Sequence, residues 1–156
     1  MKRLFFFCLL LLSHIPRTSL ANDAAPSVVL HWKEKQIALS EATCQQLSRQ
    51  AVRLVESSNF HSGPGDQYHL FKLSRVQSNY RREVAGRYLV VSYAKPQKLK
   101  SLGGEITVTE VVVALNRDDF ASGLYTIDED GRIIGHDKYA GELCIQIFDT
   151  VKQLIQ

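Results

Sequence analysis

The chain has 156 residues, of which 19 are lysine or arginine and 16 are aspartate or glutamate, giving a formal net charge of +3. A basic balance of this kind would ordinarily suggest a nucleic-acid or anionic-membrane partner. The first 21 residues, however, contain three basic residues and no acidic ones, which leaves 135 residues with 16 of each sign. Charge therefore gives no reason to expect a nucleic-acid-binding protein.

The first 21 residues have the pattern of a secretory signal peptide. Lys2 and Arg3 precede an apolar run over Leu4–Leu12, and small residues stand at Ser19 and Ala21. The apolar run is shorter than the roughly 20 residues that a membrane-spanning helix needs. We expect cleavage after Ala21, no membrane span in the mature chain, and export to the periplasm, with the extracellular space as the alternative.

The mature part, residues 22–156, is predicted to form a single domain, because no low-complexity run or long linker divides it. Its charges are unevenly placed along the chain. Residues 22–100 hold twelve basic and six acidic side chains, whereas residues 101–156 hold four and ten. The two halves are expected either to attract each other within the domain or to present separate faces to a partner.

The N-terminal part is predicted to form a strand followed by a helix. Ser27–Trp32 is rich in β-branched residues, as strands are, and Gln36–Leu39 extends it or forms its hairpin partner. Ser40 is a suitable N-cap, and residues 41–58 have apolar side chains at helical spacing. Cys44 lies on the apolar stripe of this amphipathic helix.

The middle of the chain is predicted to supply the centre of a sheet. Ser57–Asp66 collects serine, asparagine, glycine and proline and indicates a loop. Tyr68–Val76 alternates as a strand does, with a short helix as the alternative. Arg87–Tyr93 indicates a buried strand, and Ala94–Gly104 is its connection to Glu105–Leu115, the strongest strand pattern in the chain.

The C-terminal part is predicted to contain a hairpin and a closing helix. A turn over Asn116–Ser122 is followed by two strands, Leu124–Ile127 and Arg132–His136, joined where Gly131 can adopt a positive φ. The last helix carries Cys144 on its apolar stripe.

This element order predicts an α+β fold. We expect a curved antiparallel sheet packed against an N-terminal and a C-terminal helix, in an arrangement such as a cystatin-like or NTF2-like cone. Cys44 and Cys144 are the two cysteines left after cleavage, and an even pair in an oxidising compartment predicts a disulfide. That bond would close a loop of about 100 residues and contribute roughly 4–5 kcal/mol in the chain-entropy model.

A calcium loop can be aligned with the acidic hairpin at residues 126–137. With Gly131 as its sixth residue, Asp128, Asp130 and Asp137 fall at the third, fifth and twelfth positions, where carboxylates bind calcium. Thr126 at the first position and an aspartate at the twelfth depart from the usual pattern. An acidic hairpin turn is the interpretation we favour.

The predicted binding residues belong to two segments. Phe60 and His61 lie in the glycine- and proline-containing loop, where binding residues are often found. A basic segment interleaved with tyrosines follows, and could form a surface for an acidic protein or glycan or a solvated face of the sheet; its candidate residues are Arg81, Arg82, Arg87, Lys95 and Lys98.

The sequence contains no nucleophile elbow, P-loop or dinucleotide-binding glycine pattern, and we predict no catalytic residues and no cofactor. We expect a small exported, non-enzymatic binding protein, inhibitor-like or immunity-like, whose partner is a protein or a component of the cell envelope. One alternative is a small-ligand-binding or enzymatic domain with a pocket between sheet and helices, in which His61, His69 or His136 acts with an acid. Calcium binding at residues 126–137 is the other.

Overall fold

The structure, a computed structural model, describes residues 25–60, 68–116, 123–137 and 142–156, except the side chains of residues 68–75. The predicted signal peptide, His61 and the side chain of His69 lie outside this description. Among the described residues, no helix is long and apolar enough to cross a membrane. The elements in chain order are β1 (Ser27–Trp32), β2 (Lys35–Ile37), α1 (Glu41–Glu56), α2 (Tyr68–Glu83), β3 (Arg87–Ser101), β4 (Gly104–Ala114), β5 (Gly123–Ile127), β6 (Ile133–Asp137) and α3 (Glu142–Ile155).

The six strands form one curved antiparallel sheet in the order β2-β1-β3-β4-β5-β6. Each strand from β3 to β5 pairs with the strand that follows it in the chain. The N-terminal hairpin of β1 and β2 joins this meander because β1 pairs with β3 from Ser27 opposite Ser92 to Trp32 opposite Arg87. The α+β fold predicted from the sequence is confirmed.

α1 and α3 pack together on one side of the sheet, as predicted. Ser40 caps α1, because its side chain accepts a hydrogen bond from the Thr43 N–H at 3.2 Å. Gln46 Nε2 donates to Thr150 Oγ1 of α3 at 3.2 Å. The buried core between the helices and the sheet contains Leu30, Leu47, Leu54, Val55, Leu89, Val91, Val111, Val113, Leu124, Cys144, Ile147, Phe148 and Val151.

α2 differs from the sequence prediction. A strand over Tyr68–Val76 is wrong, because a helix runs from Tyr68 to Glu83 and packs on the opposite side of the sheet from α1 and α3. Val76, Tyr80 and Val84 are spaced by four residues and all contact the sheet. The three apolar residues are separated by polar residues in the range 77–82. The helical period is therefore not apparent when the element is taken to end at Val76.

β3 is longer than predicted. The sequence places its end at Tyr93, whereas the strand continues to Ser101. The pairing of β3 with β4 shifts register between Ser92 and Gln97. Pro96 lies inside this irregular stretch, where its missing N–H interrupts no regular ladder. The predicted connection therefore forms the outer half of a long hairpin.

The predicted disulfide is wrong, because Cys44 and Cys144 are not bonded to each other in the structure. Cys144 is fully buried within the core beneath α3. Cys44 lies on α1 and is half-buried. Shared helical periodicity placed both cysteines towards the interior, but it could not set the distance between two side chains on different helices.

Candidate binding surface

The helices cover the two sides of the sheet unequally. On the side of α2, the buried sheet residues are Val112 and Ala114 of β4 and Tyr125 and Ile127 of β5. Residues of β1 and β3 on the same side are only half-buried. The helix therefore covers Val112 and Ala114 of β4 and the buried residues of β5, and leaves β1, β3 and Glu110 of β4 more accessible.

Strand alternation identifies the accessible residues. Leu30 and Leu89 are paired and lie in the core under α1 and α3, so their neighbours His31 and Tyr88, also paired, point the other way. The half-buried residues on this side of β1, β3 and β4 are hereafter called the open face, and they are Val29, His31, Tyr88, Val90, Ser92 and Glu110.

Two groups of aromatic rings lie on this side of the sheet. His31 and Tyr88 stack with ring centroids 4.3 Å apart and planes 7° from parallel. Tyr80 of α2 contacts Tyr125 edge-on at 5.0 Å, and Tyr125 lies 4.8 Å from the His136 ring of β6. Such ring pairs hold one another in a defined orientation. One group, His31 and Tyr88, lies on the open face, and the other, Tyr80, Tyr125 and His136, lies where α2 covers the sheet.

A carboxylate lies beside Tyr125. Tyr125 Oη donates a hydrogen bond to Glu83 Oε2 at 2.7 Å, and Tyr125 is fully buried. Burial raises the pKa of the Tyr125 phenol, and the hydrogen bond to Glu83 and the charge of Glu83 raise it further. Gly123 makes room for this contact, because a Cβ there would come within 2.3 Å of Glu83 Oε2. The pair ties the end of α2 to β5.

Asn116 fixes the turn between α2 and β3. Its Nδ2 donates to the Glu83 carbonyl oxygen at 2.6 Å, and its Oδ1 accepts from the Arg87 N–H at 2.7 Å. A Cβ at Gly86 would lie 2.1 Å from Asn116 Oδ1, so glycine allows the close approach. The position of α2 over the sheet is therefore set by polar contacts at its C-terminal end as well as by apolar packing.

The predicted basic residues do not form one surface. Arg81 and Arg82 are exposed near the end of α2, close in sequence to Arg87 at the start of β3. Lys95 and Lys98 are exposed on the outer half of β3. At about 3.3 Å per strand residue, the eleven positions from Arg87 to Lys98 span roughly 36 Å. The basic segment is divided between the two ends of a long strand.

Some of these basic groups already have partners within the chain. The Arg87 guanidinium lies 4.8 Å from the Trp32 ring centroid, and its Nη2 donates to the Asn116 carbonyl oxygen at 2.7 Å. Lys98 Nζ is 3.1 Å from Glu105 Oε1 across the hairpin. Arg87 thus has a structural role at the α2–β3 turn, and Lys98 is in part neutralised.

Phe60 is a core residue, 1% exposed. A Cβ at Gly103 would come within 2.1 Å of the Phe60 carbonyl oxygen, and one at Gly135 within 2.8 Å of Phe60 Cδ1. Nearby, the Leu102 N–H donates to the Ser58 carbonyl oxygen at 2.9 Å. The segment after α1 therefore anchors the β3–β4 turn, and Phe60 packs inside the protein.

The acidic hairpin uses its carboxylates locally. Asp128 Oδ1 accepts from the N–H groups of Asp130 and Arg132 at 3.0 and 2.8 Å, and Asp130 Oδ2 lies 3.0 Å from Arg132 Nη1. Asp137 is paired with Leu124 at the end of β6. In the described ranges, no three His, Cys, Asp or Glu side chains are grouped to hold a metal. Calcium binding stays a prediction that these contacts do not support.

Tyr80, Tyr88, Tyr125 and Glu110 were not predicted from the sequence as one group of binding residues. A signal for Glu110 was present, because it alternates with Val112 and Ala114 on the most apolar strand of the chain. The position of Tyr80 on the sheet could not be predicted, because it follows from the helical conformation of α2. Comparisons of the chain with protein family models, with curated proteins and with solved structures found no match.

Proposed function

We propose that this chain is a small exported, non-enzymatic binding protein that recognises a protein or a component of the cell envelope through its open face. The observation that carries the proposal is the unequal cover of the sheet. α1 and α3 bury the centre of one side, including Leu30, Leu89 and Val91. On the other side, α2 leaves their neighbours His31, Tyr88 and Val90 half-buried. An accessible sheet surface of this composition is suited to contact a macromolecule.

The residue types of the open face support this role. Aromatic side chains are enriched in interfaces because they supply a large contact area at a small loss of conformational entropy. His31 and Tyr88 stack at 4.3 Å, so their orientation is fixed before a partner binds. Ser92 and Glu110 add polar groups beside the valines. Because these rings are already ordered, less conformational entropy is lost when a partner binds.

Site-specific photocrosslinking tests the proposal. A photoreactive phenylalanine derivative replaces His31 on the open face, and in a separate protein it replaces Gln45, an exposed residue of α1. Each protein is irradiated in envelope extract of the source cells. We expect a discrete adduct from position 31 that is not formed from position 45, and mass spectrometry identifies the partner.

The purified partner then gives a quantitative test. Tyr88→Ala should weaken its binding at least tenfold, whereas Gln45→Ala should leave the dissociation constant within twofold. Equal adducts from both positions, the absence of any adduct, or equal affinity of Tyr88→Ala and the wild type would contradict the proposal. Far-ultraviolet circular dichroism confirms that each variant is folded.

The second candidate function is binding or conversion of a small ligand near Tyr125. The contacts that favour it join an acid, Glu83, and the ring of His136 around one buried phenol with a raised pKa. Groups with perturbed pKa values are often found at functional sites. Ligand-induced shifts in Tm across a panel of small metabolites, lost in Tyr125→Phe, would support this function. No shift with any panel member would dismiss it.

A further inference from the structure

Glu110 is a charged side chain in the interior of a sheet. It lies on β4, the fourth of six strands in spatial order, with Ser92 and Ile127 as its cross-strand neighbours. Glu110 is half-buried, and Ile127 beside it is 6% exposed. A carboxylate partly removed from water loses hydration, and proteins seldom place one there without a compensating partner.

The described residues compensate Glu110 only weakly. Ser92 Oγ donates to Glu110 Oε1 at 3.4 Å, near the outer limit of a hydrogen bond. The ion pair of the β3–β4 hairpin joins Lys98 to a different acid, Glu105. Within the part of the chain that the structure describes, no basic side chain forms an ion pair with Glu110. Among the described residues, the charge of Glu110 is therefore not balanced by an ion pair.

An aromatic ring accompanies this carboxylate. Tyr80 is held edge-on against Tyr125 at 5.0 Å and is half-buried. Tyr125 is paired with Val112 and Ile127 is paired with Glu110, and Tyr80 packs on the cluster that contains Val112, Tyr125 and Ile127. This register places Tyr80 on the same part of the sheet as Glu110, and burial together with the charge of Glu110 raises the pKa of the Tyr80 phenol. A cation beside a carboxylate and an aromatic ring gains both an ion pair and a cation–π contact.

We infer that the open face receives an arginine or lysine side chain of a protein partner, bound beside Glu110 and Tyr80. The inference rests on the proposed function and specifies the chemistry of the partner. Val29 and Val90 supply apolar surface for the aliphatic stem of such a side chain. Since this charge serves binding and not folding, its removal should weaken binding while the free protein keeps or gains stability.

Arrays of capped heptapeptides test the inference directly. Their central residue is arginine, lysine, glutamine or glutamate, and the flanking residues are varied. We expect the protein to retain peptides with an arginine or lysine centre and not their glutamine or glutamate counterparts. The best retained peptide is then labelled, and its affinity for each protein variant is measured by fluorescence anisotropy.

Two variants of β4 separate binding from folding. Glu110→Gln removes the charge at nearly constant volume and should weaken peptide binding at least tenfold, with an unchanged or raised Tm. Glu105→Gln removes an exposed charge from the same strand and should leave the affinity within twofold. Equal affinity of Glu110→Gln and the wild type, an equal loss in both variants, or no retention of any peptide with a basic centre would overturn the inference.

The remaining outcomes are also decisive. A clear decrease in the Tm of Glu110→Gln would show that the carboxylate serves the fold, and would overturn the inference. The photoadduct from position 31 tests the proposed function separately. If that adduct forms while peptide binding is independent of Glu110, the open face binds its partner without this charge.

Discussion

The hydroxyl oxygen of Thr126 is buried inside the protein. Its Oγ1 is buried without a hydrogen-bond partner among the described residues, and Thr126 is itself fully buried. A buried hydroxyl in this state loses its hydration and gains nothing in return. Thr126→Val replaces it with a methyl group of similar size. We expect the free energy of unfolding to rise by up to about 1 kcal/mol, measured by urea denaturation.

Thr109 is the matched control for this substitution. Its Oγ1 donates to the Asp128 carbonyl oxygen at 2.7 Å, so Thr109→Val removes an existing hydrogen bond. We expect a decrease of about 1 kcal/mol in the free energy of unfolding. The same chemical change should therefore have opposite signs at the two positions. A loss of stability in Thr126→Val would show that its hydroxyl has a stabilising contact.

Tyr125 provides the second residue-scale prediction. Tyr125→Phe removes the donor that contacts Glu83 Oε2 and leaves a buried carboxylate without that hydrogen bond. We expect the free energy of unfolding to fall by roughly 1–3 kcal/mol. Tyr80→Phe is the control, since the Tyr80 hydroxyl forms no hydrogen bond with another described residue, and it should change stability by less than about 0.5 kcal/mol.

A double variant tests whether the Glu83–Tyr125 contact explains the loss. Glu83→Leu with Tyr125→Phe removes both polar groups, so no buried donor or acceptor of the pair remains unsatisfied. The double variant should be more stable than the sum of the two single changes indicates. Strict additivity, measured in a complete cycle by urea denaturation, would mean that the two side chains are not coupled.

At the scale of elements, the sequence predicted well wherever one pattern was complete. α1 had an N-cap at Ser40 and a regular apolar stripe, and the turn at Gly131 had a glycine between two strand patterns. For α2 the sequence favoured a strand, with a short helix as the alternative, because the apolar stripe of Val76 and Tyr80, continued by Val84 after the helix, is thin. A helix with so few apolar residues is stabilised mainly by packing on the sheet, and a short segment of sequence does not show that packing.

The same limit applies to the candidate surface. Strand alternation placed His31 and Tyr88 on one side of their strands, but the sequence did not reveal which strands would be neighbours. The pairing of β1 with β3 brings these two rings together. The accessibility of the open face depends on where α2 ends, which is set by contacts such as those of Asn116. Such long-range contacts leave no local periodicity in the sequence.

The β5–β6 hairpin gives a prediction at this scale. Gly131 has a φ of +74°, a conformation that side-chain-bearing residues rarely adopt. Gly131→Ala should lower the free energy of unfolding by about 1 kcal/mol, whereas Gly131→Asn should lower it less because asparagine tolerates this conformation. Thermal denaturation of both variants checks the order. An alanine variant as stable as the wild type would mean that the turn has rearranged.

For the whole molecule, the two oppositely charged parts of the sequence meet within one sheet. β3, from the basic part, pairs with β4, from the acidic part, and Lys98 contacts Glu105 across them. The expectation that these charges attract each other is met at this pair. An exposed pair of this kind contributes little stability, with a typical magnitude of 0.2–1 kcal/mol. Apolar burial on both sides of the sheet is the larger contribution.

Three tyrosines should make the whole fold sensitive to alkali. Burial raises the pKa of Tyr80, Tyr93 and Tyr125 above the ordinary value of 10.0. Above pH 10 the unfolded chain loses phenolic protons that the folded chain retains, so stability is full below pH 10 and falls as the pH rises. The buried Tyr125 alone contributes up to about 1.4 kcal/mol per pH unit.

Urea denaturation between pH 8 and pH 11.5 measures this dependence. The wild type should lose stability above pH 10, and Tyr125→Phe should lose it less steeply because one titrating group is gone. The comparison is between slopes, so the lower starting stability of the variant does not affect it. A wild-type stability that is constant up to pH 11.5 would show that the phenols remain accessible to water.

The pairing of β1 with β3 also determines the order in which the molecule can assemble. Ser27 meets Ser92, 65 positions further along the chain, whereas β3 to β6 follow one another through hairpins. Contacts between distant positions close large loops and form slowly. Strand β1 is synthesised first, but it can pair with β3 only after β3 has been synthesised and positioned. In pulse-labelling hydrogen exchange during refolding, the amides of β1 should gain protection after those of β4 and β5.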